Sequence, residues 1–196
     1  MYLIGASGHA KVIMDILKSQ GIEVDALYDE NENITEMLGK PVLHHQNFAT
    51  PLIISIGNNK IRKRIAEALD LDFGMAIHSS AIISPFATIG EGTVVMQGAI
   101  IQSCATIGNH CIINTGATVD HDCELQDYVH ISPNSTLCGN VFVGEGTHIG
   151  AGSVILPGVK IGKWCVIGAG SVVAKDIPDY VLAVGNRCKI IKTIGG

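Results

Sequence analysis

Apolar residues recur at every sixth position through the second part of the chain. An aliphatic residue stands at each sixth position from Ile77 to Val173 without a missing step. Four residues after each of them comes a small or β-branched residue, such as Ala81, Cys123 or Ser171. A period of six fits neither the α-helical turn nor simple strand alternation, but it is typical of parallel β-helices. We therefore predict that both series point into the interior of a β-helix.

Glycine often follows the aliphatic position directly, which suits tight corners where a side chain would clash or where φ is positive. These glycines are Gly90, Gly108, Gly144, Gly150, Gly162 and Gly168. The runs "IGEGTV", "IGNHCI", "IGAGSV" and "IGKWCV" resemble those of the hexapeptide-repeat transferases, whose left-handed β-helix has three hexads per coil. The resemblance implies eighteen residues per coil. Since the repeat never breaks phase, no long external loop is expected.

A different pattern precedes the repeat. Three apolar runs read as strands, namely Met1–Ile4, Ile22–Tyr28 and Pro51–Ile56, with a shorter one around Val42 and Leu43. A helix-like segment that ends at Gly21 follows the first run. A second helix follows the third run, and its predicted apolar face consists of Ile61, Ile65, Ala68 and Leu69, with Arg62 on the flank. This order predicts a small Rossmann-like parallel α/β domain over residues 1–75 and a left-handed β-helix with a C-terminal tail over residues 76–196.

The predicted strands of the first domain end in polar or small residues. Ligands of such sheets bind beyond the carboxyl ends of the strands, and a helix N-terminus stabilises a phosphate. The candidate nucleotide contacts are Ser7, Gly8 and His9 after the first strand, Asp29 and Glu30 after the second, and Gly57 after the third. The first turn is not G-x-G-x-x-G, so a dinucleotide cofactor is poorly supported. The alternative is three ordinary turns.

Composition and charge exclude several classes of partner. The net charge is −5 and only 16% of the residues are charged, so nothing favours binding to nucleic acid or to an anionic membrane. No apolar stretch approaches the ~20 residues of a membrane span, and no signal peptide is recognised, so a cytoplasmic location is expected. Cys111, Cys123 and Cys165 fall on the inward small-residue series and are predicted to be core residues.

Further motifs narrow the resemblance. "GASGH", "IGNNKIRK", "HSSAIISP" and "INTGATVDHDC" are similar to the sugar acetyltransferases of nucleotide-linked amino sugars, over essentially the whole chain. That family includes sialic acid O-acetyltransferases and the UDP-4-amino-sugar N-acetyltransferase of bacillosamine synthesis. It implies a nucleotide-sugar in the first domain and acetyl-CoA between neighbouring subunits of a β-helix trimer. It also implies acetyl-CoA contacts at Asn114, His130, Ala151 and Ala169. Two aspartates in the bacillosamine enzymes are replaced here by Asp29 and Glu30, which leaves the base open.

His121 is the candidate general base. It occupies the third place of its hexad, outside both inward series, and a neutral histidine accepts a proton near neutral pH. Either Asp122 or Asp120 can hold its ring. Gly139 lies eighteen residues further on, one coil up at a strand spacing of roughly 4.8 Å, where it leaves an open slot and a backbone N–H for an oxyanion.

The other histidines have simpler readings. His130 and His148 stack on neighbouring coils and are either ligand contacts or solvated corner residues, whereas His44, His45 and His110 are predicted at the surface. His78 is expected to make a structural hydrogen bond at the domain junction. No metal site is predicted, since the H…H-x4-H arrangement of β-helical carbonic anhydrases is absent from the sequence. Val95, Ile101 and Trp164 are expected as outward trimer contacts.

The predicted function is acetyl transfer from acetyl-CoA to the amine of a UDP-linked 4-amino-4,6-dideoxy sugar, for surface glycan or glycoprotein biosynthesis. One alternative is an O-acetyltransferase acting on sialic acid or a related sugar hydroxyl. Another is a non-catalytic nucleotide-binding scaffold, because fold alone does not give function. UDP, dTDP and GDP carriers stay open at this stage.

Overall fold

A computed structural model describes residues 1–195 of the chain, which begins with a five-stranded sheet and two helices. The elements are β1 (Tyr2–Ile4), α1 (Gly8–Ser19), β2 (Ala26–Tyr28), β3 (Glu36–Met37), β4 (Lys40–Leu43), β5 (Leu52–Ile54) and α2 (Asn59–Ala68). The strand order is β3-β4-β2-β1-β5, and only β3 runs antiparallel to its neighbour. Because β1 lies between β2 and β5, the carboxyl ends of these three strands are adjacent. β1, β2 and β5 are shorter than predicted, β4 extends further than the predicted strand around Val42 and Leu43, and β3 was not predicted.

The rest of the chain is a three-faced β-helix of parallel two-residue strands, which ends in two longer strands, Val181–Val184 and Lys189–Thr193, paired antiparallel to each other. Face 1 contains β7 (Ile82–Ile83), β10 (Ile100–Ile101), β13 (Thr118–Val119), β16 (Thr136–Leu137), β19 (Val154–Ile155) and β22 (Val172–Val173). Face 2 contains β8 (Thr88–Ile89), β11 (Thr106–Ile107), β14 (Glu124–Leu125), β17 (Phe142–Val143) and β20 (Lys160–Ile161). Face 3 contains β6 (Ala76–Ile77), β9 (Val94–Val95), β12 (Ile112–Ile113), β15 (His130–Ile131), β18 (His148–Ile149), β21 (Val166–Ile167), β23 (Val181–Val184) and β24 (Lys189–Thr193).

Strand pairing fixes the coil at eighteen residues. Ile100 pairs with Thr118, and Ile101 with Val119, in parallel register. The second residue of each two-residue strand points inward, and from Val95 to Val173 every such residue is buried, as is the small-residue series from Thr93 onward. The inward aliphatic residues of the first coil are only half-buried, because no coil covers them from below. The inward pointing of both series is therefore as predicted.

Two of the expected trimer contacts were wrong. Val95 and Ile101 are 0% and 1% exposed, because they belong to the inward series. The residue before each of them faces outward instead. Trp164 lies at a corner, where its ring is close enough to Gly146 that an added Cβ would meet it at 2.5 Å. A contact surface must therefore be sought among the first residues of the strands.

The corner glycines fulfil only half of their predicted role. An added Cβ on Gly144 would lie 2.6 Å from the Lys163 nitrogen of the next coil, so glycine is needed for close stacking. Its φ is not positive. The left-handed residue comes two positions later, as at Gly146 with φ 66°, and non-glycine residues such as Asp122 adopt it as well, with φ 59°. Close approach of the coils, and not backbone handedness, therefore selects these glycines.

The first domain packs on face 3 and on the corner between faces 2 and 3. Ile13 of α1 shares a buried cluster with Met96 and Ile112 of the β-helix. The Asn59 side chain of α2 donates to the Gly146 carbonyl at 3.0 Å. Within residues 1–195, no helix is long and apolar enough to cross a membrane.

His110 lies inside this seam, so its predicted surface position was wrong. It is 4% exposed, and its ring lies 4.6 Å from that of Phe73 and 5.5 Å from that of Tyr128, measured between centroids. Burial, followed by the charge of Arg62, lowers the pKa of His110 to about 4. The imidazole is therefore a neutral packing element at neutral pH. His78, in contrast, contacts the Ser80 hydroxyl at 2.8 Å close to the junction, as expected.

Candidate active site

His121 stands at the corner between faces 1 and 2, two residues after the end of β13. Its Nδ1 lies 2.7 Å from a carboxylate oxygen of Asp122. Asp120 instead accepts a hydrogen bond from the backbone N–H of His121, also at 2.7 Å. Asp122 therefore orients the ring. The short side chain reaches because Asp122 adopts the left-handed conformation, which aspartate tolerates better than most residues.

The same carboxylates set the protonation behaviour of the exposed His121 ring. The hydrogen bond to Asp122, followed by the charge of Asp120, raises the pKa of His121 above its ordinary value. A proton on Nδ1 directed at Asp122 leaves Nε2 as the basic nitrogen. Above its raised pKa, the neutral ring of His121 can therefore accept a proton at Nε2 and share the resulting charge with Asp122.

Gly139 lies beside this ring on the next coil. A Cβ added to Gly139 would meet Nε2 and Cε1 of His121 at 2.6 Å, so any larger residue would displace the imidazole. Within residues 1–195, the Gly139 N–H meets no hydrogen-bond acceptor. An open cleft of about 590 Å³ surrounds these groups and is lined by Asp120, His121, Cys138, Gly139, Asn140, Pro157 and Gly158. The base and a free backbone donor thus face one space.

A second group of polar side chains lies on face 3. His130 and His148 pair in register on β15 and β18, with their ring centroids 4.6 Å apart. Nε2 of His130 lies 3.2 Å from the Asn114 amide nitrogen, and Nε2 of His148 lies 3.0 Å from the Ser132 hydroxyl. Neither histidine is a solvated corner residue, since burial lowers the pKa of both, that of His130 to about 3.

Ala151 and Ala169 are exposed at the corner between faces 3 and 1. The Ala151 carbonyl accepts from the Gly170 N–H at 2.8 Å, so this backbone is fixed by the coil above. Asn114 begins the same corner two coils below Ala151. The four predicted acetyl-CoA contacts therefore lie along one corner and the adjoining part of face 3.

The first segment predicted to contact the nucleotide, Ser7 to His9, forms the N-terminal end of α1. Ser7 is the N-cap residue, but its hydroxyl makes no capping hydrogen bond, and both Ser7 and Gly8 are exposed. An added Cβ on Gly8 would meet no atom within 4 Å. His9 is half-buried, and its Nε2 has no partner among the described residues. Burial and then the Arg62 charge lower the pKa of His9 to about 4.

The other two strand ends support this segment. Asp29 accepts from the Ala6 N–H at 2.7 Å and, through its other oxygen, from the Asn31 N–H at 2.9 Å. One carboxylate oxygen of Asp29, which was predicted to contact the nucleotide, therefore fixes the loop after β1 instead. Glu30 is exposed. Gly57 lies close enough to His130 for its carbonyl to affect the imidazole.

The predicted residues thus form two groups within one chain. His9 and Gly57 approach His130 at the seam between the domains, whereas His121 and Gly139 occupy a different corner of the prism. Face 1 separates the corner of His121 from the corner of Ala151.

Sequence reasoning missed Arg62, which is 1% exposed in the seam. The buried face of α2 consists of Asn59, Arg62 and Ala66, whereas Ile61 of the predicted apolar face is 38% exposed. The helical spacing of Asn59, Arg62 and Ala66 was the available signal, but polar residues rarely mark a buried face.

Comparison with known proteins agrees with this architecture. Residues 1–69 match the PglD N-terminal domain, and residues 104–139 and 140–175 match the bacterial transferase hexapeptide repeats. Over 107 residues, the chain is 44% identical to a UDP-N-acetylbacillosamine N-acetyltransferase of Bacillus subtilis, an alignment covering 48% of this chain and 50% of that protein. An uncharacterized mimivirus protein, L142, is 34% identical over 103 residues, covering 48% of this chain and 21% of its own length. The chain thus spans half or less of these two relatives.

Solved structures match over nearly the whole chain. A variant of perosamine N-acetyltransferase from Caulobacter crescentus, crystallised with CoA and GDP-perosamine, is 40% identical with a TM-score of 0.92, covering 97% of this chain and 96% of that one. The acetyltransferase domain of PglB from Neisseria gonorrhoeae, in complex with acetyl coenzyme A, is 36% identical with a TM-score of 0.90, covering 97% and 98%. The predicted fold, a Rossmann-like domain followed by a left-handed β-helix, is confirmed. The chain belongs to the hexapeptide-repeat sugar N-acetyltransferases with a PglD-type N-terminal domain.

Proposed function

We propose that this protein transfers the acetyl group of acetyl-CoA to the amine of a nucleotide-linked 4-amino-4,6-dideoxy sugar, with UDP as the first candidate carrier. The observation that carries the proposal is the His121 ring, held by Asp122 on one side and facing Gly139 on the other. The related enzymes act on bacillosamine and perosamine derivatives, and both of these substrates are amino sugars.

His121 acts as the general base in this proposal. The sugar ammonium first loses one proton to solvent. Nε2 then removes a second proton as the neutral amine nitrogen attacks the thioester carbonyl, and Asp122 stabilises the imidazolium that forms. The Gly139 N–H stabilises the oxyanion of the tetrahedral intermediate. Collapse of the intermediate breaks the carbon–sulfur bond, and the CoA thiolate takes up the proton from the imidazolium. Proton and electron pair thus balance without a metal.

The nucleotide binds, we propose, at the ends of β1, β2 and β5. The exposed N-terminus of α1 with Ser7, Gly8 and His9 faces the diphosphate, because its backbone N–H groups and dipole favour an anion. Asp29 and Glu30 face the ribose or the base. Gly57 provides bare backbone beside them. The acetyl-CoA arm follows Asn114, His130, Ala151 and Ala169.

The two groups of site residues come together only if subunits associate, which supports a homotrimer. The outward residues of face 1 are uncharged, namely Ile82, Ile100, Thr118, Thr136, Val154 and Val172, whereas face 2 carries Glu124 and Lys160. Ile82 is 65% exposed in the single chain. If face 1 lines the three-fold axis, the His121 corner of one subunit meets the Ala151 corner of the next in a closed ring.

A mass-shift screen tests the function. The protein is incubated with acetyl-CoA and with UDP-, dTDP- and GDP-linked 4-amino sugars, with sialic acid as the hydroxyl acceptor, and with the His121→Ala variant as control. Acetylation of an amino sugar by the wild type, reduced about 10²–10⁴-fold in the variant, is expected. Acetylation of sialic acid alone favours the O-acetyltransferase, and no transfer to any acceptor favours the scaffold. A cytoplasmic location is part of the proposal, because acetyl-CoA and nucleotide-sugars are intracellular metabolites.

A further inference from the structure

Arg62 is a buried cation at the seam between the two domains. It lies on α2 and is 1% exposed. Burial lowers the pKa of Arg62 to about 10, which still leaves the guanidinium charged at neutral pH. Within residues 1–195, no carboxylate forms an ion pair with it. An unpaired buried charge is costly, so its presence calls for a reason.

Neutral oxygens satisfy the guanidinium from both domains. Nε donates to the His110 carbonyl at 2.7 Å, and Nη2 donates to the Tyr128 carbonyl at 2.9 Å. Nη1 donates to the carbonyls of Ile56 and Gly57 at 3.0 and 3.3 Å. Two corner carbonyls of the β-helix and two carbonyls of the loop between β5 and α2 are therefore joined by one rigid planar group.

The contact with Asn59 completes this arrangement. Nη2 of Arg62 also donates to the Asn59 side-chain oxygen at 2.9 Å, while the Asn59 nitrogen donates to Gly146 of the β-helix. The five N–H groups of the guanidinium thus meet five oxygens, which no other side chain can do. A lysine at this position would keep the charge but would contact at most three of these oxygens.

The surroundings of the guanidinium contain ionisable groups that burial keeps neutral. The rings of His130 and His148 lie 4.6 Å apart between centroids. The Arg62 charge, after burial, further lowers the pKa of His9, His130 and His148. His9 Nε2 and His130 Nδ1 are buried without a partner in the described residues. The seam therefore contains buried neutral ring nitrogens without a hydrogen-bond partner among the described residues, near one fixed positive charge and the loop of Gly57.

We propose that Arg62 is the positioning residue for the nucleotide-sugar: it fixes the Gly57 loop against the β-helix and supplies permanent positive charge behind the diphosphate site. This inference rests on the proposed function, because it assumes that the strand ends hold a nucleotide. Arg62 acts through the loop and through its field, since its own N–H groups are already occupied.

Two variants separate the effect of the hydrogen bonds that join the Gly57 loop to the β-helix from the effect of the charge. Arg62→Lys keeps the charge and loses most of these hydrogen bonds, and Arg62→Gln loses the charge as well. Arg64→Gln, on the exposed side of the same helix, is the matched control. Calorimetric titration with UDP and GDP is expected to show a Kd raised about tenfold in Arg62→Lys, the cost of ordering a loosened loop, and raised further in Arg62→Gln. The Kd for acetyl-CoA should change less than about threefold, because the Gly57 loop is not among the proposed acetyl-CoA contacts.

Histidine titration by NMR adds a readout that a purely structural role would not move. In the wild type, His9 and His130 should stay neutral down to about pH 5, and in folded Arg62→Gln the pKa of His9 should rise because the repulsion is lost. Wild-type titration of both rings near the ordinary histidine pKa would overturn the inference even if no Arg62 variant folds. Equal nucleotide affinity in Arg62→Lys and Arg64→Gln would overturn it as well. Absence of nucleotide binding to the wild type would instead refute the nucleotide half of the proposed function.

Discussion

Mixed trimers provide the sharpest test of the shared site. His121→Ala removes the base but leaves the first domain intact. Gly8→Val alters the proposed diphosphate site, and its side chain enters open space, because a Cβ there meets no atom within 4 Å and φ is not positive. Both variants should therefore fold and each should be inactive alone. In a mixed ring, one subunit can contribute its intact His121 corner to the intact first domain of its neighbour.

The recovery follows from the head-to-tail arrangement. Any ring of three subunits that contains both variants has one junction in three where the subunit with His121 precedes the subunit with Gly8. Mixed trimers purified through two different tags should therefore regain about a third of the wild-type kcat, whatever their composition. The homogeneous variants stay lower, since loss of a general base alone costs about 10²–10⁴-fold.

The assay measures free CoA thiol released with the nucleotide-sugar that the mass screen identifies. Trimers reassembled from two tagged batches of the same variant are the control for handling. If mixed trimers form and bind nucleotide but stay as inactive as the homogeneous variants, base and nucleotide come from the same chain and the placement of face 1 on the axis is wrong.

Three further predictions concern single residues. UDP or GDP at ~100 times its Kd should stabilise the wild type by about 2.7 kcal/mol in a thermal melt, and Gly8→Val should remove the shift; unchanged melting with UDP, dTDP and GDP refutes nucleotide binding. Asp122→Asn should reduce kcat less than His121→Ala and move the acidic limb of the rate profile to lower pH, because the carboxylate that raises the pKa of His121 is lost; an unmoved limb means that another group titrates. Gly139→Ala should cost about 10²-fold in kcat by displacing the ring, with acetyl-CoA affinity as the control.

The repeat made much of the β-helix and of the corner that holds His121 predictable. A strict six-residue period fixes which residues point inward and which residues stack, so the contact between His121 and Gly139 follows from counting alone. The choice of Asp122 over Asp120 did not follow, because it depends on the left-handed backbone at Asp122. The six-residue period specifies where each residue lies along a coil, but not the backbone and side-chain conformations at the corners.

The seam was not predictable, because it depends on how two domains pack. His110 and Arg62 look like surface residues in the sequence, but both are buried where α2 of the first domain meets this corner of the β-helix. Period counting cannot say which face a neighbouring domain will cover. Val95 and Ile101 were wrong as trimer contacts for a different reason, because the repeat itself puts both in the inward series. The residue before each of them points outward from the β-helix.

Burial distinguishes His9 and His130 in the seam from His121 and favours His121 among these three as the base. The pKa of His130 is lowered to about 3 and that of His9 to about 4, so both rings are neutral throughout the physiological range. A histidine with so low a pKa is a poor general base for the attacking amine, although its ring can still donate or accept a hydrogen bond. His121 has the opposite surroundings, since it is exposed and its two neighbouring carboxylates raise its pKa. Activity should therefore be present above the raised pKa of His121 and be lost as the pH falls through it, with no contribution from the seam histidines.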